Sequence, residues 1–156
     1  MDLEDLVSEH AIIPALDADS KKQALQELAA KAAELTGRAI PAREIFDTLL
    51  QRERLGSTGL GRGIAIPHVK FKELDRIYCL FARLNKPIDF EALDEEPVDL
   101  VFLLLAPEHA SGDHLKALAR ISRLLREPEI SQRLRDARDL KGIFQVLTEP
   151  ATPHAA

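Results

Sequence analysis

The sequence predicts a single α/β domain, a mixed sheet flanked by helices, and three observations carry that reading. Segments with helical periodicity interleave with short strand-like runs along the whole chain. One run, residues 98–106 between Pro97 and Pro107, is too continuously apolar for a strand with one wet face, so it reads as a central strand covered on both sides. Several connections are too short for the crossovers of an all-parallel sheet, which makes the sheet mixed. With 156 residues, 46% of them apolar and 30% charged, such a domain buries its core without covalent or metal staples.

Ser20 and Gln23 form a capping box, Ala24, Leu25, Leu28, Ala29, Ala32 and Leu35 follow at helical spacing, and Gly37 stands where a C-cap belongs. A helix over 20–36 follows. Pro41 opens a second helix, with Ile45, Phe46, Leu49 and Leu50 on its apolar face, running to about Arg54. A loop with glycines at 56, 59, 61 and 63 comes next. Residues 64–66 read as a short buried strand that Pro67 ends, because proline cannot donate to a ladder. Residues 77–84 alternate as a strand. Leu115, Leu118, Ala119, Ser122 and Leu125 mark a helix from about Asp113, and shorter helices are expected near 129–136 and 139–148. The domain is expected over 1–148, with 149–156 as a frayed tail.

Composition narrows the function. A net charge of −5 argues against nucleic acid, which demands a basic face to displace counterions. Arg120, Arg123, Arg126, Arg133, Arg135 and Arg138 are interleaved with Glu127, Glu129, Asp136 and Asp139, so they read as a solvated mixed-charge surface. The single cysteine, Cys79, excludes an internal disulfide and a Cys-rich zinc site, and its place in an alternating run marks a small strand residue in a reducing compartment. The N-terminus is acidic where a signal peptide is basic, and no apolar run reaches spanning length. A cytoplasmic protein without membrane insertion is expected.

His68 is the first candidate for chemistry. It ends a short apolar run behind a loop too glycine-rich to be core, so its imidazole reads as presented rather than buried. A neutral imidazole is a good nucleophile, and its phosphorylated form passes the group on. A phosphoryl group needs donors and positive charge around it. The amides of Gly59 and Gly61, the Ser57 and Thr58 hydroxyls, and Arg52 or Arg54 are the residues available. Arg52 and Glu53 also read as a solvated pair in the last helical turn, where the dipole favours the arginine. His114, in the first turn of its helix, is either a surface histidine or a neutral donor to an anion. Leu60 and Phe71 are the apolar residues expected to make a docking patch around His68.

Other chemistries fit poorly. The glycine loop matches neither the P-loop nor the dinucleotide fingerprint, so no nucleotide cofactor is implied and the phosphate would arrive on another protein. Glu108, His109, Asp113 and His114 match no common zinc spacing, so no metal is implied.

The string from Arg52 through Gly56-Ser57-Thr58-Gly59-Leu60-Gly61 to Ile64-Ala65-Ile66-Pro67-His68 is similar to the active-site signature of the fructose- and mannitol-type enzyme IIA family of the bacterial phosphotransferase system. The resemblance continues through Lys86-Pro87-Ile88-Asp89-Phe90, Pro97-Val98-Asp99-Leu100-Val101-Phe102 and His114-Leu115-Lys116-Ala117-Leu118, and covers roughly residues 5–148. Within the family the chain is most similar to the free-standing nitrogen-regulatory branch. The resemblance implies a mixed five-stranded sheet flanked by helices, and phosphorylation of His68 on Nε2 by an HPr-like phosphocarrier, with His114 and Arg52 beside it. It also implies regulatory targets such as potassium-transport or sensor-kinase components. Arg62 stands where relatives often carry asparagine or a small residue, and Val69 where glycine is common. The expected protein is a phosphoryl carrier that signals through its phosphorylation state. The alternatives are a sugar-specific transport component and a non-covalent anion-binding module.

Overall fold

The computed structural model describes residues 6–109 and 112–149. A 3-10 turn, Glu9–Ala11, leads into β1 (Ile12–Leu16), followed by α1 (Lys21–Leu35), α2 (Ala42–Leu55), β2 (Gly59–Gly61), β3 (Ile64–Ala65) and β4 (His68–Phe71). The chain continues through β5 (Tyr78–Ile88), β6 (Val98–Pro107), α3 (Asp113–Arg126), α4 (Pro128–Asp136) and α5 (Leu140–Thr148).

The strands form one mixed sheet in the order β1-β5-β6-β3-β2, with β4 also paired to β6. β5 and β6 are antiparallel, while β1 runs parallel to β5, and β3 and β4 both run parallel to β6. β3 and β4 therefore act as one interrupted strand, and the sheet has the expected five positions. β6 is the central strand that its apolar run predicts. Its Val101, Leu103 and Leu105 enter a core with α1 and α2, and Leu100, Phe102 and Leu104 enter a second core with α3 and α5. Cys79, buried on β5, joins the second core, and burial pushes its thiol up to about 12, which leaves it without thiolate chemistry.

The helix termini follow their local signals. Ser20 Oγ accepts from Gln23 N at 3.1 Å while Gln23 Oε1 accepts from Asp19 N at 2.7 Å, and Gly37 takes a φ of +66° behind α1. Asp139 Oδ1 caps α5 by accepting from Gly142 N at 2.9 Å.

Four expectations need correction. β1 was not foreseen, because Pro14 interrupts its pattern; at the edge of a sheet a proline is tolerated. The glycine-rich loop is in part a hairpin, β2–β3. Pro67 does not end ladder pairing: it lacks a donor, but its carbonyl accepts from Leu104 N at 2.9 Å and pairing resumes with His68 against Leu104. The arginine-rich stretch is not uniformly solvated, since Arg135 holds Asp99 through two hydrogen bonds of 2.8 and 2.9 Å. Residues 150–156 of the expected tail lie outside the described residues. Glu149, grouped with that tail, accepts from Arg133 at 2.7 and 2.5 Å.

Candidate functional site

The hairpin stands beside the site and sets its frame. Arg62 and Gly63 have φ of +58° and +83°, the pair of left-handed residues that a tight two-residue turn requires. A Cβ on Gly63 would lie 2.6 Å from Arg135 Nη2 and 2.9 Å from Asp99 Oδ1, and one on Gly59 would lie 2.8 Å from the Ala92 Cβ. These glycines admit close protein neighbours, where the sequence had suggested close approach of a ligand. Arg62 N donates to Asp94 Oδ2 at 2.9 Å, and the Arg62 and Glu96 amides hold the Asp94 carboxyl below the usual carboxylate range.

The two hydroxyls are also engaged inside the protein. Ser57 Oγ donates to Phe90 O at 2.7 Å and accepts from Gly59 N at 3.1 Å. Thr58 Oγ1 donates to Glu53 Oε2 at 2.6 Å, and Thr58 N donates to Glu53 Oε1 at 3.1 Å. Glu53 is thus buried, not solvated. Its charge is matched by Lys21, whose Nζ lies 3.0 Å from Oε1 and 4.7 Å from the Phe90 ring centroid.

His68 opens β4 immediately after the proline break. Its Nδ1 lies 2.8 Å from Ile66 O. A carbonyl can only accept, so this contact calls for a proton on Nδ1, and in the neutral ring the lone pair then lies on Nε2. The half-buried imidazole lines a cavity of about 530 Å³ at the open end of the sheet, where the last turns of α2, strands β4 and β6 and the first turn of α3 meet. Arg52 reaches it from α2 and His114 from α3. Three residues selected from sequence therefore converge. Ser57, Thr58, Gly59 and Gly61 do not line this cavity.

The guanidinium of Arg52 is steadied through Nη1, which donates to Gly56 O at 2.8 Å. Thr48, Gln51 and Leu55 add further lining from α2, and Lys70 from β4. Sequence reasoning missed all four. Lys70 was hidden by reading Pro67 as a stop: with β4 in place, its spacing from His68 puts both on one strand face. Phe71 is 5% exposed and belongs to the core with α1 and α2, so it is not a surface residue, because alternation sends it to the face opposite His68. Leu60 is exposed, as are Leu55 at 87% and Leu115 at 57%, the last beside His114. Among the described residues, no three His, Cys, Asp or Glu side chains gather as a metal site, and no helix is long and apolar enough to cross a membrane.

The mixed α/β sheet thus carries a histidine just after Pro67, at a cavity that Arg52 and Lys70 also line. The chain belongs to the family described as phosphoenolpyruvate-dependent sugar phosphotransferase system, EIIA 2, which it matches over residues 5–149. It is 61% identical over 150 residues to the nitrogen regulatory protein of Bradyrhizobium diazoefficiens, covering 96% of this chain and 97% of that one. The nitrogen regulatory protein of Escherichia coli is 42% identical over 142 residues, covering 88% of this chain and 84% of that one. The crystal structure of nitrogen regulatory protein IIA-Ntr from Neisseria meningitidis aligns with a TM-score of 0.88 at 30% identity, covering 94% of this chain and 99% of that one.

Proposed function

We propose that this chain is a cytoplasmic phosphoryl carrier in which His68 Nε2 accepts a phosphoryl group from an HPr-like phosphocarrier, and that the phosphorylation state controls binding to a regulatory target. The observation that carries the reading is the Nδ1 contact with Ile66 O beside a cavity that also receives Arg52 and His114. The Nε2 lone pair forms the new N–P bond as the N–P bond on the carrier breaks and its electron pair returns to the carrier's nitrogen. The acceptor ring keeps its Nδ1 proton, and the Ile66 carbonyl stabilises the positive charge that develops on the imidazole. Arg52 offers its remaining donors to the phosphoryl oxygens, and His114 supports it from the start of α3.

Docking uses the exposed leucines: Leu55 and Leu115 take the place that Phe71 cannot fill, together with Leu60. The names of the relatives favour a regulatory role over sugar transport. By the family resemblance the targets are potassium-transport or sensor-kinase components, released when a doubly charged group is added at His68.

Incubation with phosphoenolpyruvate, enzyme I and the carrier, followed by intact mass measurement, tests the reading. One phosphoryl group is expected on the wild type and none on His68→Ala; uptake by His68→Ala at the wild-type rate refutes the assignment. Arg52→Lys should slow uptake clearly and Arg54→Lys should not, because only a planar fork grips Gly56 O and a phosphoryl group together. Fast passage of the group to a sugar permease would make the chain a transport component.

A further inference from the structure

We propose that Lys70 is a phosphoryl-binding residue that stabilises the phosphorylated form of His68, an inference that rests on the reading above. His68 and Lys70 are alternate residues of β4, so their side chains leave the same face of the strand with their Cα atoms about 7 Å apart. Both line the cavity, and so does Arg52. No carboxylate is among the described residues that line it. Among the described residues the balance of charge lining it is therefore positive.

Arg52 already directs one donor to Gly56 O. Among the described residues Lys70 makes no hydrogen bond or ion pair, and its chain is exposed and long enough to turn toward its neighbour on the strand. An ammonium group with three rotatable donors suits a group that is present in one state and absent in the other. When the N–P bond to Nε2 forms and the bond to the carrier breaks, two negative charges arrive at this rim, and Lys70 is the cation without a prior engagement.

A blander role competes. β4 pairs with β6 alone among the described strands, and lysine on a short edge strand discourages pairing with other chains. A third possibility is that Lys70 contacts only the docked carrier. These are separated by the equilibrium constant for phosphoryl exchange between carrier and chain, which depends only on the free proteins before and after transfer. A docking contact changes forward and reverse rates alike and cancels from it.

The experiment mixes wild type, Lys70→Met, Lys70→Arg and Lys72→Met with phosphorylated carrier and reads both phosphoproteins by intact mass at equilibrium. Lys70→Met should shift the constant about tenfold toward the phosphorylated carrier, the scale of a hydrogen bond to a charged group. Lys70→Arg should restore it, and Lys72→Met, on an exposed turn beyond the strand, should leave it unchanged. The shift should shrink as salt is added. An unchanged constant in Lys70→Met overturns the proposal, whether the rates fall together or the variant self-associates. Failure of wild type to take up phosphoryl at His68 overturns the carrier reading itself, and shows before any Lys70 variant is compared.

Discussion

The segments on either side of Ile64–Ile66 hold similar polar equipment and use it in opposite ways. Before it, residues 53–63 close on themselves: Ser57, Thr58, Arg62 and Glu53 all find partners within the protein. After it, His68 has one nitrogen anchored and one open, and Lys70 makes no bond among the described residues. The difference teaches that a signature string is not uniformly a list of reactive groups. Residues 53–63 build a support, whereas in the proposed function the chemistry falls to Arg52 before them and to the residues beyond the proline.

Substitutions break this contrast in graded fashion. Phe71→Asp buries a carboxylate without a partner under the sheet and should destabilise by about 4 kcal/mol or more, whereas Leu55→Asp should change stability by about 0.5 kcal/mol or less. Leu55→Asp should instead weaken carrier binding roughly tenfold. Thermal unfolding and titration of the carrier read the two effects, and a stable Phe71→Asp would undo the core assignment.

Glu53→Gln leaves Lys21 only the exposed Glu91 carboxylate, 3.9 Å away, and should cost about 3 kcal/mol, seen as a lower denaturant midpoint. Ser57→Ala loses the bond to Phe90 O and the one from Gly59 N, about 2 kcal/mol, and should leave the rate of phosphoryl uptake unchanged. A large fall in that rate would return Ser57 to the reactive groups.

The smallest effect is at the surface. The hydrogen bond from Arg133 holds the Glu149 carboxyl below its ordinary range. Because the folded-state value is depressed, the pair adds stability above the unfolded carboxyl's value, about 4.3, and loses it as pH falls through the folded one. Arg133→Ala should therefore flatten the acid side of the melting-temperature profile slightly, and leave the support and the cavity untouched.

What the sequence disclosed and what it hid divide along the same physical line. Caps and periodicities act within a few residues, so Ser20 with Gln23 and Pro41 placed the first two helices to within a residue or two. The apolar run of β6 announced its burial on both faces. Pro67 misled, read as the end of pairing, and β1 with its Pro14 went unread, because tolerance of proline depends on which strand lies alongside. Glu53 read as solvated because Lys21 and Thr58 reach it from different elements. Of the site, His68, His114 and Arg52 line one cavity, while Lys70 waited on knowing that pairing resumes after Pro67.

Among the described strands β4 pairs with β6 alone, and in parallel, whereas β5 and β6 are successive antiparallel strands. Closing the shorter connection costs less chain entropy, so the β5–β6 ribbon is expected to zip early and β4 to join it late. In the finished protein the reverse order is expected, with β4 detaching while the ribbon persists. Amide protons of residues 69–71 should accordingly trade with deuterium faster than those of residues 101–105, and phosphorylation at His68 should slow the former selectively. The acceptor of the proposed function thus sits on a strand held by one neighbour, so that adding or removing one group there is expected to change how often the strand lets go.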